Sequence, residues 1–150
     1  QIFNEEGKYQ FQFGVEGSSP SQLAHPMRLF IDAVADEVYV TDRIIAFLFS
    51  TKGQFRRCFG PEGSGAHQFR TPRGLALHPL SGGHVIVADS NNHRLQIFDR
   101  QGTHLRSFGG KGSGPNHFHS LWGVCVHPVT GHVLVSGALN YRVVVFPSDD

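Results

Sequence analysis

The sequence predicts an all-β chain that forms a partial β-propeller of about three four-stranded blades. Three observations predict this fold. The dipeptide Phe-Gly closes a strand-like run at Phe13-Gly14, Phe59-Gly60 and Phe108-Gly109, at intervals of 46 and 49 residues. Short β-branched runs recur inside each interval, and no stretch shows the 3.6-residue periodicity of a helix. Repeats of about 40–50 residues that carry four short strands are typical of propeller blades.

The middle copy shows the order of the four strands of a blade, which are named a to d along the chain. Strand a is predicted at Gly74–His78, strand b at Val85–Asp89, strand c at Arg94–Phe98 and strand d at His104–Phe108. The a to b and c to d connections are polar and contain Gly or Pro, as hairpin turns require. The b to c turn holds Ser, Asn and His, which tolerate left-handed backbone conformations. Strands b and c have apolar residues on both faces, so we expect both faces to be covered.

A longer loop joins strand d to the next strand a, at residues 60–71 and again at 109–120. Each loop carries an aromatic residue, Phe69 or Phe118, and Leu23 stands at the corresponding place in the first copy. We expect these side chains to anchor the loops from below. The loops also contain Gly-Ser-Gly, but no helix and no Lys-Ser/Thr pair follows, so a phosphate-binding loop is not predicted.

Composition and charge leave the class of ligand open. Thirteen Lys and Arg stand against twelve Asp and Glu, with ten His in addition. Cys58 and Cys125 lie in strand-like runs of different repeats and are expected to be reduced thiols of the core. No apolar run reaches about 20 residues, and no basic-then-apolar leader opens the chain. The expectation is a cytoplasmic protein without membrane contact.

The middle copy resembles an NHL repeat almost position for position. The resemblance is carried by Pro-Arg-Gly-Leu-Ala-Leu from Pro72, Val-Ile-Val-Ala-Asp-Ser-Asn-Asn-His-Arg-Leu-Gln-Ile-Phe-Asp from Val85, and Gly-Thr-His-Leu-Arg-Ser-Phe-Gly from Gly102. The flanking copies depart from this pattern. The first copy is two residues short in its b to c turn, and the third keeps Asn140 and Arg142 but replaces the Asp and the His.

The resemblance implies a ring of about six blades, of which this chain would hold the C-terminal part. Residues 1–150 then form a single propeller segment, with a blade end at 1–14, blades at 15–60 and 61–109, and an incomplete blade at 110–147. Gln1 is interpreted as a cut and Asp150 as a natural end. Because such an arc exposes apolar faces and strand edges, we expect the remaining blades in the same protein or, alternatively, in a second copy.

The loops divide between two edges of the expected propeller. The d to a loops and the b to c turns reach one edge, called here the first rim, and the other turns reach the second rim. The first rim collects more cations than acids and interleaves them with rings, which suits single-stranded nucleic acid or an acidic peptide. The candidate ligand-binding residues are Arg28, Arg43, Arg70, Arg73, His93, Lys111, Trp122 and Tyr141.

Other residues of the first rim have structural interpretations. The resemblance assigns five of them to the structural motif of the repeat: Asp89, Asn92, Arg94, Asn140 and Arg142. Arg94 and Arg142 are expected to bridge to an Asp or to a neighbouring blade, and Asp42 is expected to pair with a nearby Arg. Trp122 occupies the slot of Arg73 and is either a stacking platform or a plug of the central channel.

The predicted function is a non-catalytic binding platform with no cofactor and no metal. No nucleotide-binding loop, carboxylate pair or activated nucleophile is recognisable. The resemblance points to the C-terminal NHL domain of tripartite-motif or related RING-type ubiquitin ligases, where such a domain recruits RNA or protein substrates and the ligase activity lies in other domains. A protein-only interaction scaffold is one alternative. A metal-dependent lyase is another, although His117 and His119 have no third ligand at suitable spacing.

Overall fold

A computed structural model describes residues 1–147 of the chain, so the proposed natural end at Asp150 lies outside the described residues. Within this part, the regular structure consists of thirteen strands and two three-residue 3-10 helices, at Pro79–Ser81 and Ser90–Asn92. Both helices lie in turns between strands, where the sequence predicted no helix. No helix of the described part is long and apolar enough to cross a membrane.

A short N-terminal strand pair precedes the first complete sheet. β1 (Ile2–Phe3) pairs with β2 (Tyr9–Phe11). The first sheet then follows in chain order as β3 (Arg28–Asp32), β4 (Glu37–Thr41), β5 (Ala46–Ser50) and β6 (Phe55–Phe59). All neighbouring strands are antiparallel, and the two central strands are buried along their whole length.

The second sheet has the same order and agrees with the predicted strands. It consists of β7 (Pro72–His78), β8 (His84–Asp89), β9 (Arg94–Phe98) and β10 (His104–Gly109). No bound differs from the prediction by more than two residues. Every residue of β8 after its first, and of β9 after its first, is buried, so the expected covering of both faces is confirmed.

The third sheet has three strands in the described part, β11 (Leu121–Val126), β12 (Val133–Gly137) and β13 (Arg142–Phe146). The sheets stack face to face, and their innermost strands β3, β7 and β11 lie side by side. Successive antiparallel sheets whose first strands share an axis are the blades of a β-propeller. The predicted fold class is therefore confirmed.

Successive side chains of a strand point to opposite faces of the sheet, so the second sheet contributes to two hydrophobic cores. Val85 and Val87 of β8 pack towards the first sheet with Leu48. Ile86, between them, packs towards the third sheet with Val135. Because one strand contributes to both cores, the three sheets form a continuous packed arc.

The cysteines correct one prediction. Cys58 and Cys125 are free thiols, but both are exposed rather than part of the core. Cys58 is adjacent to Phe59, whose ring is the one that faces the core. Cys125 alternates in the same way with Val124, which packs on the second sheet. The two-residue period of a strand turns each thiol to the face opposite its packed neighbour.

An ion-pair cluster joins the first and second sheets at the second rim. Arg100, in the turn after β9, donates to Asp32 and lies 3.0 Å from a Glu37 carboxylate oxygen. The hydrogen bond from Arg100 is the main reason why the pKa of Asp32 lies below its usual value. The charges of Arg100, Asp32 and Glu37 are therefore largely compensated within this cluster.

Candidate functional site

The first rim is built from one loop geometry that occurs three times. The d to a loops close through parallel bridges between Glu16 and Leu23, Glu62 and Phe69, and Lys111 and Phe118. Phe69 and Phe118 are fully buried and Leu23 packs on the first sheet, so the predicted anchors are confirmed.

Asp89 fixes the rim to the second sheet. Its carboxylate is fully buried at the end of β8 and accepts hydrogen bonds from the Arg70 backbone N–H and from the side chains of Asn92, Arg94 and Gln96, at 2.7–3.0 Å. A buried carboxylate is stable only with partners of this kind. Its acceptor capacity is therefore taken up within the fold.

In the first and third sheets, different groups join the d to a loop to the b to c turn. Asp42 accepts the backbone N–H groups of Ala24 and His25, each at 2.7 Å, and not a guanidinium, so its predicted pairing with Arg was wrong. The Ala24 amide corresponds to the Arg70 amide that Asp89 accepts, and both come from the d to a loop. In the third sheet, Asn140 accepts the backbone N–H of His119 and donates to the Gly112 carbonyl at 3.2 Å.

Arg94 and Arg142 hold the d to a loops from equivalent positions. Arg94 donates to the carbonyls of Gly65 and Gln68, at 2.6 and 2.9 Å, and forms the ion pair with Asp89. Arg142 donates to the carbonyls of Gly114 and His117, at 2.6 and 2.7 Å. Both guanidinium groups therefore stay within their own blade and shape the loop.

The remaining cations of the first rim have no such partners. Within residues 1–147, five of them form neither an ion pair nor a side-chain hydrogen bond: Arg28, Arg43, Arg70, Arg73 and Lys111. All are exposed except Arg73, which is half-buried. Of the four acids near them, Asp42 and Asp89 are buried and Glu16 and Glu62 are exposed. The rim therefore carries an excess of unpaired positive charge.

Arg73 and Trp122 form the best-defined part of this surface. The guanidinium carbon of Arg73 lies 4.2 Å from the centre of the Trp122 ring, a cation–π contact. The Arg73 Nε is buried and has no hydrogen-bond partner among the described residues. Trp122 is 53% exposed, so its ring is accessible in this arc of three sheets. The pair offers a ring and unused N–H donors at adjacent places.

The strand register separates Arg28 from Arg73. Arg28 pairs with Thr41, whereas Gly74 takes the corresponding place opposite Ala88 in the second sheet. Arg28 is therefore equivalent to Gly74 and lies one residue beyond the slot shared by Arg73 and Trp122. The Thr41 hydroxyl donates to the Arg73 carbonyl at 3.4 Å, so Thr41 contacts both Arg28 and the Arg73 backbone.

His93 lies on the same rim, in contact with the loop before β11. Its Nδ1 accepts the Ser120 backbone N–H at 3.2 Å, and its ring centre is 5.9 Å from that of His119. Burial lowers the pKa of His93 below its ordinary value, and the charges of Lys111 and His119 lower it further. The lowered pKa favours the neutral ring, and the contact with the Ser120 N–H requires that form, with the proton on Nε2.

Tyr141 takes the place of His93 in the third sheet. Both residues have left-handed backbones, with φ of 53° for Tyr141 and 57° for His93. Tyr141 is 91% exposed. The left-handed conformation is thus shared by the two equivalent turns, and at Tyr141 it leaves the aromatic ring in solvent.

Sequence reasoning missed the contribution of the backbone to this site. Thr71 and Ser120, directly before β7 and β11, also have left-handed backbones, with φ of 57° and 56°. Their shared position before the innermost strand was visible in the repeat, but nothing in their residue types indicated the conformation. Among the described residues, no group of three or more His, Cys, Asp or Glu could hold a metal ion.

Two sequence comparisons describe what this chain is similar to. Residues 69–98 match the family described as NHL repeat. "Protein brain tumor" of Drosophila melanogaster is 35% identical over 103 residues, which cover 67% of this chain and 9% of that protein. The chain thus spans less than a tenth of this relative.

Solved structures share the fold at low sequence identity. A putative phosphatase from Bacteroides thetaiotaomicron has a TM-score of 0.61 and 13% identity, over 79% of this chain and 34% of that one. An auxiliary nutrient binding protein from the same organism has a TM-score of 0.59 and 15% identity, over 77% and 35%. Hydrazine synthase from Kuenenia stuttgartiensis has a TM-score of 0.55 and 10% identity, over 91% and 40%. At these identities the likeness concerns the fold alone.

Proposed function

We propose that the chain is a non-catalytic binding platform that holds single-stranded RNA on its first rim. The observation that carries the proposal is the set of five cations that form neither an ion pair nor a side-chain hydrogen bond within residues 1–147, on the same rim as the exposed rings of Trp122 and Tyr141. Phosphates would pair with the cations and unstacked bases would lie on the rings. Arg73, already stacked on Trp122, would be the central phosphate contact.

The wider context of the function is also a proposal. The similarity to Protein brain tumor supports a binding role for an NHL-containing chain. Recruitment of substrates to a ubiquitin ligase remains a prediction from the family resemblance, and that activity would belong to domains outside these residues. Further blades, in the same protein, would complete the ring.

Substitution of Arg73 tests the proposal. We expect Arg73→Glu to weaken binding of a fluorescein-labelled single-stranded RNA at least tenfold, measured by fluorescence anisotropy, because a cation is replaced by an anion at the phosphate. In the unsubstituted protein the slope of log K against log salt should be no steeper than about −3.5, since single strands contribute about 0.7 for each of five phosphate contacts.

Two further variants keep the test decisive. Lys52→Glu makes the same charge change in the turn after β5, on the second rim, and should leave RNA binding unchanged. Arg43→Glu alters an exposed residue that has no side-chain partner and should weaken binding even if Arg73→Glu disturbs the fold. Unchanged RNA affinity in both rim variants would overturn the proposal. Binding of an acidic peptide but not of RNA, with a shallow salt dependence, would establish the protein-only alternative.

A further inference from the structure

Ser120 is held from two sides where the chain enters β11. Its backbone N–H donates to Nδ1 of His93 at 3.2 Å, in the b to c turn of the second sheet. Its carbonyl accepts the Ala138 N–H at 2.9 Å, in the corresponding turn of the third sheet. Ser120 keeps its left-handed φ of 56° between these two contacts. The hydrogen bond to His93 is thus one of the contacts that join the two blades at the first rim.

The same contact lies close to the Arg73–Trp122 pair. Trp122 follows Ser120 by two residues, and Leu121 between them is fully buried, with its carbonyl accepting the Ser90 hydroxyl. The position of the β11 entry therefore sets the position of the Trp122 ring over Arg73.

The hydrogen bond requires a neutral imidazole. A protonated ring carries N–H groups on both nitrogens, so Nδ1 could no longer accept the Ser120 N–H. The groups that face the ring are Lys111 and His119, which oppose a positive charge, and Asp89, which favours it. Because Asp89 is already engaged by the side chains of its own sheet, it offers His93 no replacement hydrogen bond.

We propose that His93 is a pH-sensitive pin that holds the β11 entry and the Trp122 ring in place only while its imidazole is neutral. Protonation removes the Ser120 hydrogen bond and adds a positive charge beside Lys111 and His119. The β11 entry then loses one of its two contacts at Ser120, and the stack of Arg73 on Trp122 loosens. Regulation of RNA binding by His93 rests on the proposed function of the first rim. The conformational change at the β11 entry does not.

The single tryptophan of the chain gives a direct readout, because Trp122 is also the stacked ring. We expect its fluorescence to change in one step as the pH is lowered from 8 to 5, with a midpoint below 6.5, while far-UV circular dichroism stays constant. His93→Asn should abolish the step. The Oδ1 atom of Asn can replace Nδ1 as the acceptor of the Ser120 N–H. Asn also tolerates the left-handed backbone and does not titrate. The Ser120 amide, followed by NMR, should shift with the same midpoint.

Two neighbouring variants serve as controls. His119→Asn and Lys111→Gln each remove a positive charge that opposes protonation of His93, so the step should remain and its midpoint should rise. Constant Trp122 fluorescence between pH 8 and 5 in the unsubstituted chain, or an unchanged step in His93→Asn, would overturn the proposal. Neither measurement contains RNA, so a failure of the pin is distinguishable from a failure of RNA binding.

Discussion

Some charged residues of this protein form hydrogen bonds within the fold, and others are exposed without side-chain partners. Asp89, Arg94 and Arg142 form hydrogen bonds within a blade, whereas Arg43 and Arg70 are exposed and have no side-chain partners in the described residues. An arginine therefore stabilises a blade where a carbonyl or carboxylate lies within hydrogen-bond distance. Elsewhere its guanidinium group stays exposed to solvent. The unpaired members decide where an anion would bind.

His104 is expected to make stability depend on pH. Burial lowers its pKa below the ordinary 6.5, with further effects from Arg94 and His67. Since the unfolded chain binds this proton more readily, the free energy of unfolding should decrease as the pH falls below about 6.5, and above that pH His104 should have no effect. The lowered pKa of His93 is expected to decrease the free energy of unfolding at low pH in the same way.

Replacement of His104 isolates its contribution to the pH dependence of stability. His104→Gln, whose side-chain amide can still reach the Ser107 hydroxyl that now lies 2.8 Å from Nε2, should reduce the loss of stability between pH 7 and 5. Ser107→Ala is the control, because it removes the hydroxyl and keeps the titrating ring. Urea unfolding at each pH measures the effect. An equal slope in His104→Gln and in the unsubstituted protein would contradict the assignment.

At the level of elements, the close approach of β7 to β11 depends on one glycine. A Cβ at Gly74 would lie 2.8 Å from the Trp122 carbonyl oxygen and 2.9 Å from the Val124 nitrogen, both backbone atoms. Nothing flexible can move aside at this point. The two innermost strands can approach to this distance only because the position has no side chain.

Gly74→Ala is therefore expected to destabilise the protein by about 1–3 kcal/mol, as overpacking of a close contact does. The Trp122 fluorescence should change as well, since β11 must shift away from β7. Gly110→Ala is the matched control, because its Cβ would meet only His117 at an ordinary 3.7 Å. Equal free energies of unfolding for the two variants, measured with urea, would refute the close-contact explanation.

For the whole molecule, the third sheet has one face that its neighbours cannot cover. Register makes Val143 and Val145 of β13 equivalent to Leu95 and Ile97 of β9. The β9 residues are buried, at 0% and 6% exposure, because the third sheet covers them, whereas Val143 and Val145 are 63% and 53% exposed. An apolar sheet face of this kind is an association surface. We propose that another blade of the same polypeptide covers it.

The 150-residue chain alone is therefore expected to associate as its concentration rises, in sedimentation experiments. The double variant Val143→Glu, Val145→Glu should shift the equilibrium towards the monomer, because it places two charges in the apolar face. Val34→Glu, at a turn residue that is 99% exposed on the second rim, is the control and should associate like the unsubstituted chain. A monomer at every concentration would contradict the exposed-face argument.

The sequence by itself determined the strands and their order. Alternation of apolar residues, the Phe-Gly repeats and the polar turns are local patterns, so β7 to β10 were predicted almost to the residue and Phe69 was placed correctly beneath its loop. It also brought the rim cations together, because loop connectivity decides which edge of a propeller a residue reaches.

Only the tertiary structure decided which of these residues have partners. The occupation of Asp42 by backbone amides, the exposure of Cys58 and Cys125, the stacking of Arg73 on Trp122 and the hydrogen bond from Ser120 to His93 each join segments that are far apart in the chain or depend on the face of a strand. Residue type fixes what a side chain can bond. The arrangement of the blades fixes which donors and acceptors come within bonding distance of it.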